Sequence, residues 1–89
     1  MPLTRVKVYY WDFFGPDAKS TATHFKTHLE EFLRARTVEG CETGLELAMP
    51  GHCATFCKTP PAFEKTIELS LRPRRALWGE LELPETFEV

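Results

Sequence analysis

Thr59-Pro60-Pro61-Ala62-Phe63-Glu64-Lys65-Thr66-Ile67-Glu68-Leu69-Ser70-Leu71 is the stretch on which the fold of this chain turns. Two periodicities overlap in it. Phe63, Ile67 and Leu71 recur at four-residue steps, as on one stripe of a helix, while Thr66 to Leu71 also alternates as a strand does. The proline pair favours helix. Thr59 is a capping residue type, and proline is welcome in the first helical turn, where its missing N–H is no loss. Arg72-Pro73 then closes the element, because the residue before a proline is driven out of the helical region. We therefore expect a helix over residues 62–72. A strand there would widen the sheet and leave a single long helix to cover it.

That long helix is the clearest element of the chain. Ala18, Ala22, Phe25, Leu29, Phe32 and Leu33 fall on one stripe, and no Pro or Gly interrupts residues 17–39. Asp17 can cap the start, Arg34 and Arg36 suit the negative end of the helix dipole, and Gly40 offers a left-handed stop. Lys26 and Glu30 form an i, i+4 pair on the solvent side.

The remaining segments read as strands. Residues 3–14 are rich in β-branched and aromatic types, with Val6, Val8 and Tyr10 alternating against Arg5, Lys7, Tyr9, Trp11 and Phe13. We expect the aliphatic set to lie under the helices. Residues 43–49 and 52–58 flank the turn signal Pro50-Gly51 and form a hairpin. In it Leu45, Leu47 and Met49 point one way. Cys53, Thr55 and Cys57 share one side of the return strand, and His52, Ala54 and Phe56 share the other. Residues 76–83 form the last strand, with Gly79 on its aliphatic side where a helix can approach.

The order strand, helix, strand, strand, helix, strand is that of an α+β, ferredoxin-like split βαβ domain (βαββαβ). Two helices cover one face of a four-stranded antiparallel sheet and the other face is bare. Fold alone assigns no function. With 89 residues the expectation is a single domain spanning 1–89, with residues 83–89 a tail apolar enough to dock on a partner subunit.

Composition narrows the function classes. A formal net charge of −2 lacks the basic footprint that phosphate binding needs, so no nucleic-acid partner is expected. No apolar run approaches the roughly 20 residues that span a bilayer, so no membrane partner is expected. There is no export signal, so the three cysteines read as reduced thiols in a cytoplasmic protein.

Three groups of residues carry candidate chemistry. Tyr9, Trp11, Phe13 and Trp78 are expected on the bare sheet face, as an interface or ligand-binding patch. A small α+β domain gains from extra burial, so we expect a homo-oligomer through this face, with a small-molecule pocket built there. The strand-to-helix loop with Asp12, Gly15 and Asp17 is the second group, although turn and cap chemistry accounts for both acids. The third is a metal set of His24, His28, His52 and Cys57, for zinc or copper. His24 and His28 lie one helical turn apart. Cys53 and Cys57 sit in an extended stretch, where their sulfurs are about 13 Å apart and do not share an ion. The same His and Cys residues are the parts available to a small enzyme without a cofactor. Arg72 to Arg75 is a short basic cluster that we read as a solvated loop, the alternative being a hold on an anion or a partner carboxylate.

Overall fold

A computed structural model describes residues 3–82. It consists of β1 (Leu3–Phe14), α1 (Ala18–Ala35), β2 (Glu42–Met49), β3 (His52–Thr59), a 3-10 turn (Pro61–Phe63), α2 (Glu64–Leu71) and β4 (Arg75–Glu82). The fold is α+β, with one four-stranded sheet in the order β2-β3-β1-β4 and every pairing antiparallel. This is compatible with the expected βαββαβ arrangement. Residues 61–71 are helical, as the proline pair implied, and Arg72 ends the element in the left-handed conformation. The suggested tail at 83–89, and Leu83 with it, lies outside the described residues.

Both helices cover one side of the sheet, but the covered side is not the aliphatic one. Directly opposed residues in antiparallel strands share a face. The register sets Tyr9 against Cys57 and Trp11 against Thr55. Tyr9, Trp11 and Cys57 pack with Leu29, Leu33, Val38 and Ile67 in one buried cluster, with Phe13 and Phe25 against it. The expectation that Tyr9, Trp11 and Phe13 line the bare face is thereby corrected. Tyr9 is 1% exposed and Trp11 5%. Each also has its polar tip satisfied by α2. The Tyr9 hydroxyl donates to the Glu68 carboxylate, and Trp11 Nε1 donates to the Leu71 carbonyl at 2.9 Å. Lys7, on the same side, donates to Glu68 at 3.3 Å.

α1 crosses above β3. Its small residues Ala18 and Ala22 pack on Cys53, and Thr55 Oγ1 donates to the Ala22 carbonyl at 2.7 Å. Glu30 ties the helix to β2, accepting from Lys26 and from Thr43 Oγ1, both at 2.9 Å. The expected caps differ in detail. Asp17 holds the cap position without a side-chain hydrogen bond. α1 ends at Ala35, earlier than expected, because Thr37 takes the left-handed conformation (φ 55°). There the Val38 N–H reaches the Leu33 carbonyl and the Thr37 N–H reaches that of Arg34. This is the Schellman arrangement with Thr in the usual glycine position, and Val38 closes it by packing with Leu33. Thr59 does not cap the second helix; its hydroxyl turns to the Cys57 carbonyl and sulfur.

Two further corrections follow from register. An irregularity between Leu47 and Met49 moves Met49 into register with His52, on the opposite face from Leu45 and Leu47. Gly79 sits opposite Val6, and a Cβ there would lie 2.6 Å from Val8 Cγ2, so a neighbouring strand's side chain occupies the space expected for a helix.

The two faces of α2 give a direct test of this packing. Ile67 is fully buried whereas Leu69 is 76% exposed. Ile67→Ala is expected to cost about 2–5 kcal/mol, and Leu69→Ala to stay within about 0.5 kcal/mol of wild type. Urea denaturation of the two variants measures the contrast.

Candidate functional site: the uncovered sheet face

With the odd-numbered residues of β1 under the helices, the even-numbered ones stand on the other face, which no helix among the described residues covers, although Val6 and Val8 on it are buried. Tyr10, Asp12 and Phe14 are opposed there by Phe56, Ala54 and His52 of β3, and Tyr10 also by Arg75 of β4. β2 adds Gly44, opposite Phe56, and Glu46, opposite Ala54.

Asp12 is the centre of this face. Its side chain is 8% exposed. Arg75 donates to it through Nε at 2.9 Å and through Nη2 at 2.8 Å, a two-pronged grip that suits the planar guanidinium. His52 Nε2 lies 2.9 Å from the same carboxylate. Arg75, donating to both oxygens, holds the Asp12 carboxyl down to about 2, with His52 assisting and burial working against them. The Arg75 guanidinium also lies over the Tyr10 ring, 4.2 Å from its centroid. Burial, with Glu46 nearby, raises the Tyr10 hydroxyl above its usual range.

Apolar side chains surround this polar centre. The Phe14 ring stacks on His52 with centroids 4.5 Å apart. Phe56 lies flat across Gly44, where a Cβ would meet its ring at 2.6 Å, and sits beside Tyr10. Phe14, Met49 and Leu77 are 67%, 60% and 50% exposed.

Chemically, the Asp12 carboxylate accepts from Nε2–H of His52. That leaves Nδ1 as the basic nitrogen, with no partner among the described residues. An aspartate behind a histidine fixes the tautomer and steadies the imidazolium once a proton is taken up. The face can therefore bind a polar group, and it can accept a proton from one.

The other expected site residues do not converge here. Trp78 is 57% exposed on edge strand β4, opposite Lys7 and beneath the Arg5 guanidinium, so it belongs to the helix side of the sheet. Of the loop residues, Gly15 holds the loop to the hairpin through its N–H and the Gly51 carbonyl at 2.9 Å. Asp17 is exposed and lines a hollow of about 620 Å³ along α1 with Ser20, Thr23 and His24. The four suggested metal ligands are scattered. His24 and His28 are on the outer side of α1, His52 is on the uncovered face, and Cys57 is buried on the covered one. No group of three or more His, Cys, Asp or Glu among the described residues is placed to share an ion. Cys57 instead accepts from the Thr59 hydroxyl at 3.4 Å, and its neighbour Cys41 pulls the Cys57 pKa down while Cys57 pushes that of Cys41 up. Among the described residues no helix is long and apolar enough to cross a membrane.

Sequence reasoning missed Tyr10, Phe14 and Arg75 as parts of the site. Arg75 had a signal, as the last member of a basic cluster suited to a carboxylate. Compared with known protein families, with curated proteins and with solved structures, the chain has no match.

The Asp12 pair has a pH signature of definite sign. The folded carboxyl sits below its ordinary 3.8, so its stabilisation is complete above that value and fades as pH falls through about 2. Asp12→Asn removes it. The stability gap between wild type and Asp12→Asn is expected to shrink by on the order of 2 kcal/mol between about pH 5 and pH 2. Urea denaturation at several pH values in that window checks this, and a gap independent of pH would contradict it.

Proposed function

We propose that this chain is a small binding protein working as a pair of copies. The uncovered sheet faces meet and enclose a small-molecule pocket over Asp12, His52 and Arg75. In this reading the fold is ferredoxin-like, a view supported by the element order, the sheet order and both helices lying on one side. The observation that carries the proposal is the make-up of one face. An ion pair stands at its centre, with the Asp12 carboxylate nearly dry and Arg75 partly open, and Phe14, Met49 and Leu77 are left in water around it. An apolar rim of this kind is normally covered, and a domain of this size has most to gain from the cover.

The pocket's polar centre points to the ligand class. His52 Nδ1 offers an acceptor, and the Nη1 end of Arg75, which Asp12 does not use, offers donors. A small carboxylic acid or primary amide presents the matching donor and acceptor side by side, and Phe56 and Phe14 supply apolar walls.

Light scattering after size-exclusion is expected to give twice the 10.2 kDa chain mass. The double variant Phe14→Glu, Leu77→Glu is expected to elute as a folded single chain. A wild-type protein that stays a monomer up to about millimolar concentration, a weak affinity even for a transient interface, would sink the proposal.

A second reading, an enzyme without a cofactor, has one observation in its favour. The Asp12–His52 contact at 2.9 Å engages Nε2 and leaves Nδ1 as the nitrogen able to take up a proton, the arrangement of a general base. The two readings separate on incubation with small carbonyl compounds. A binding protein returns them unchanged, whereas a general base exchanges their acidic C–H protons with deuterated water, and His52→Ala stops that exchange.

A further inference from the structure

We infer that His24 and His28 form a two-nitrogen clip on the outer side of α1 that binds a divalent transition-metal ion, with copper(II) preferred. This inference is independent of the uncovered face, since α1 lies on the opposite side of the sheet and His52 takes no part.

The two residues are one turn apart, which stacks them on the same side of the helix. Their Nε2 atoms are 3.0 Å apart, and the rings stand nearly perpendicular with centroids 4.5 Å apart. Metal–imidazole bonds of about 2.0–2.1 Å drawn to two nitrogens at this spacing subtend about 91–97° at the ion. That is close to the right angle between neighbouring ligands in a tetragonal copper(II) or nickel(II) site, and well short of the tetrahedral angle zinc prefers.

A second observation concerns orientation. His28 Nδ1 lies 3.3 Å from the Glu31 carboxylate, the residue one turn further along α1. A carboxylate this close to Nδ1 favours the tautomer with the proton on Nδ1 and the lone pair on Nε2, the form a metal ligand needs. In the metal-free protein that lone pair accepts the Nε2–H of His24. On binding, the His24 proton moves to its own Nδ1, and both exposed rings turn about their last side-chain torsion to face the ion. No core contact has to change, because both side chains are on the surface. Water completes the coordination, supplied through the adjoining hollow beside Ser20, Thr23 and Thr27.

The experiment is calorimetric titration of the untagged full chain with copper(II), nickel(II) and zinc chloride in a non-coordinating buffer, with electron paramagnetic resonance of the copper form. The expected result is one copper ion per chain, two imidazole nitrogens in the spectrum, and affinity falling from copper to nickel and zinc. His24→Ala and His28→Ala should each weaken copper binding at least tenfold while leaving the circular dichroism spectrum unchanged. Glu31→Gln, acting only through His28, should weaken it by less than either. Wild-type affinity in His24→Ala or His28→Ala, a spectrum without coupled nitrogens, or tighter binding of zinc than of copper would overturn the clip.

Discussion

The parity of β1 governs the molecule. This strand is central, hydrogen-bonded to β3 on one side and to β4 on the other, so the face its odd residues take fixes the face of every residue in three strands. The outcome is decided by area. Tyr and Trp bury about 150–250 Å² each, which at about 25 cal/mol per Å² is roughly 4–6 kcal/mol apiece as an upper bound. A valine contributes about 1.5–3 kcal/mol on the same scale. With their polar tips satisfied by Glu68 and the Leu71 carbonyl, Tyr9 and Trp11 lose little on desolvation, and the larger side chains take the interior. Val6 and Val8, though buried, go to the other face.

What the other face displays is a consequence of that choice. Putting Tyr9 and Trp11 under α2 forces Asp12 outward, and the antiparallel register then delivers His52 from β3 and Arg75 from β4 to the same region. A carboxylate with an 8% exposed side chain is costly unless its charge is answered, and here it is answered twice, by a guanidinium fork and by an imidazole. Gly44 makes room for the Phe56 ring to lie down beside Tyr10. The polar centre and its apolar surround are thus built by strand pairing alone, with no loop needed to bring them together.

The elements themselves were legible in the sequence. The stripe from Ala18 to Leu33, the Pro50-Gly51 turn and the Pro60-Pro61 opening each marked a boundary with a physical cause, and the structure follows them to within a few residues. The alternation in β1 was legible too, but not its direction, because a period of two says which residues share a face and not which face is covered. Hydropathy favoured the valines, and only the partners on α2, more than fifty residues away, reverse that ranking. The same limit hid the site. Asp12, His52 and Arg75 are spread over three strands and no local spacing links them. The Met49 shift has a similar origin, since the irregularity that moves it depends on pairing with β3 rather than on its own neighbours.

The sheet also explains why residues able to act on one ion or one substrate do not act together here. Cys57 and His52 alternate out of phase along β3, so the strand sends one into the covered layer and the other to the uncovered face. Sequence proximity brought them into one candidate set, and the pleat separates them by the full thickness of the sheet. Cys57, sealed under the helices, has Cys41, the Thr59 hydroxyl and the Lys58 carbonyl as its polar company, and works as a small core residue. His52 is left with Asp12 and Phe14, its side chain 19% exposed. Residue type alone made the two interchangeable as nucleophile, base or ligand. Position on the strand makes one structural, and leaves the other the histidine placed to meet a ligand at the uncovered face.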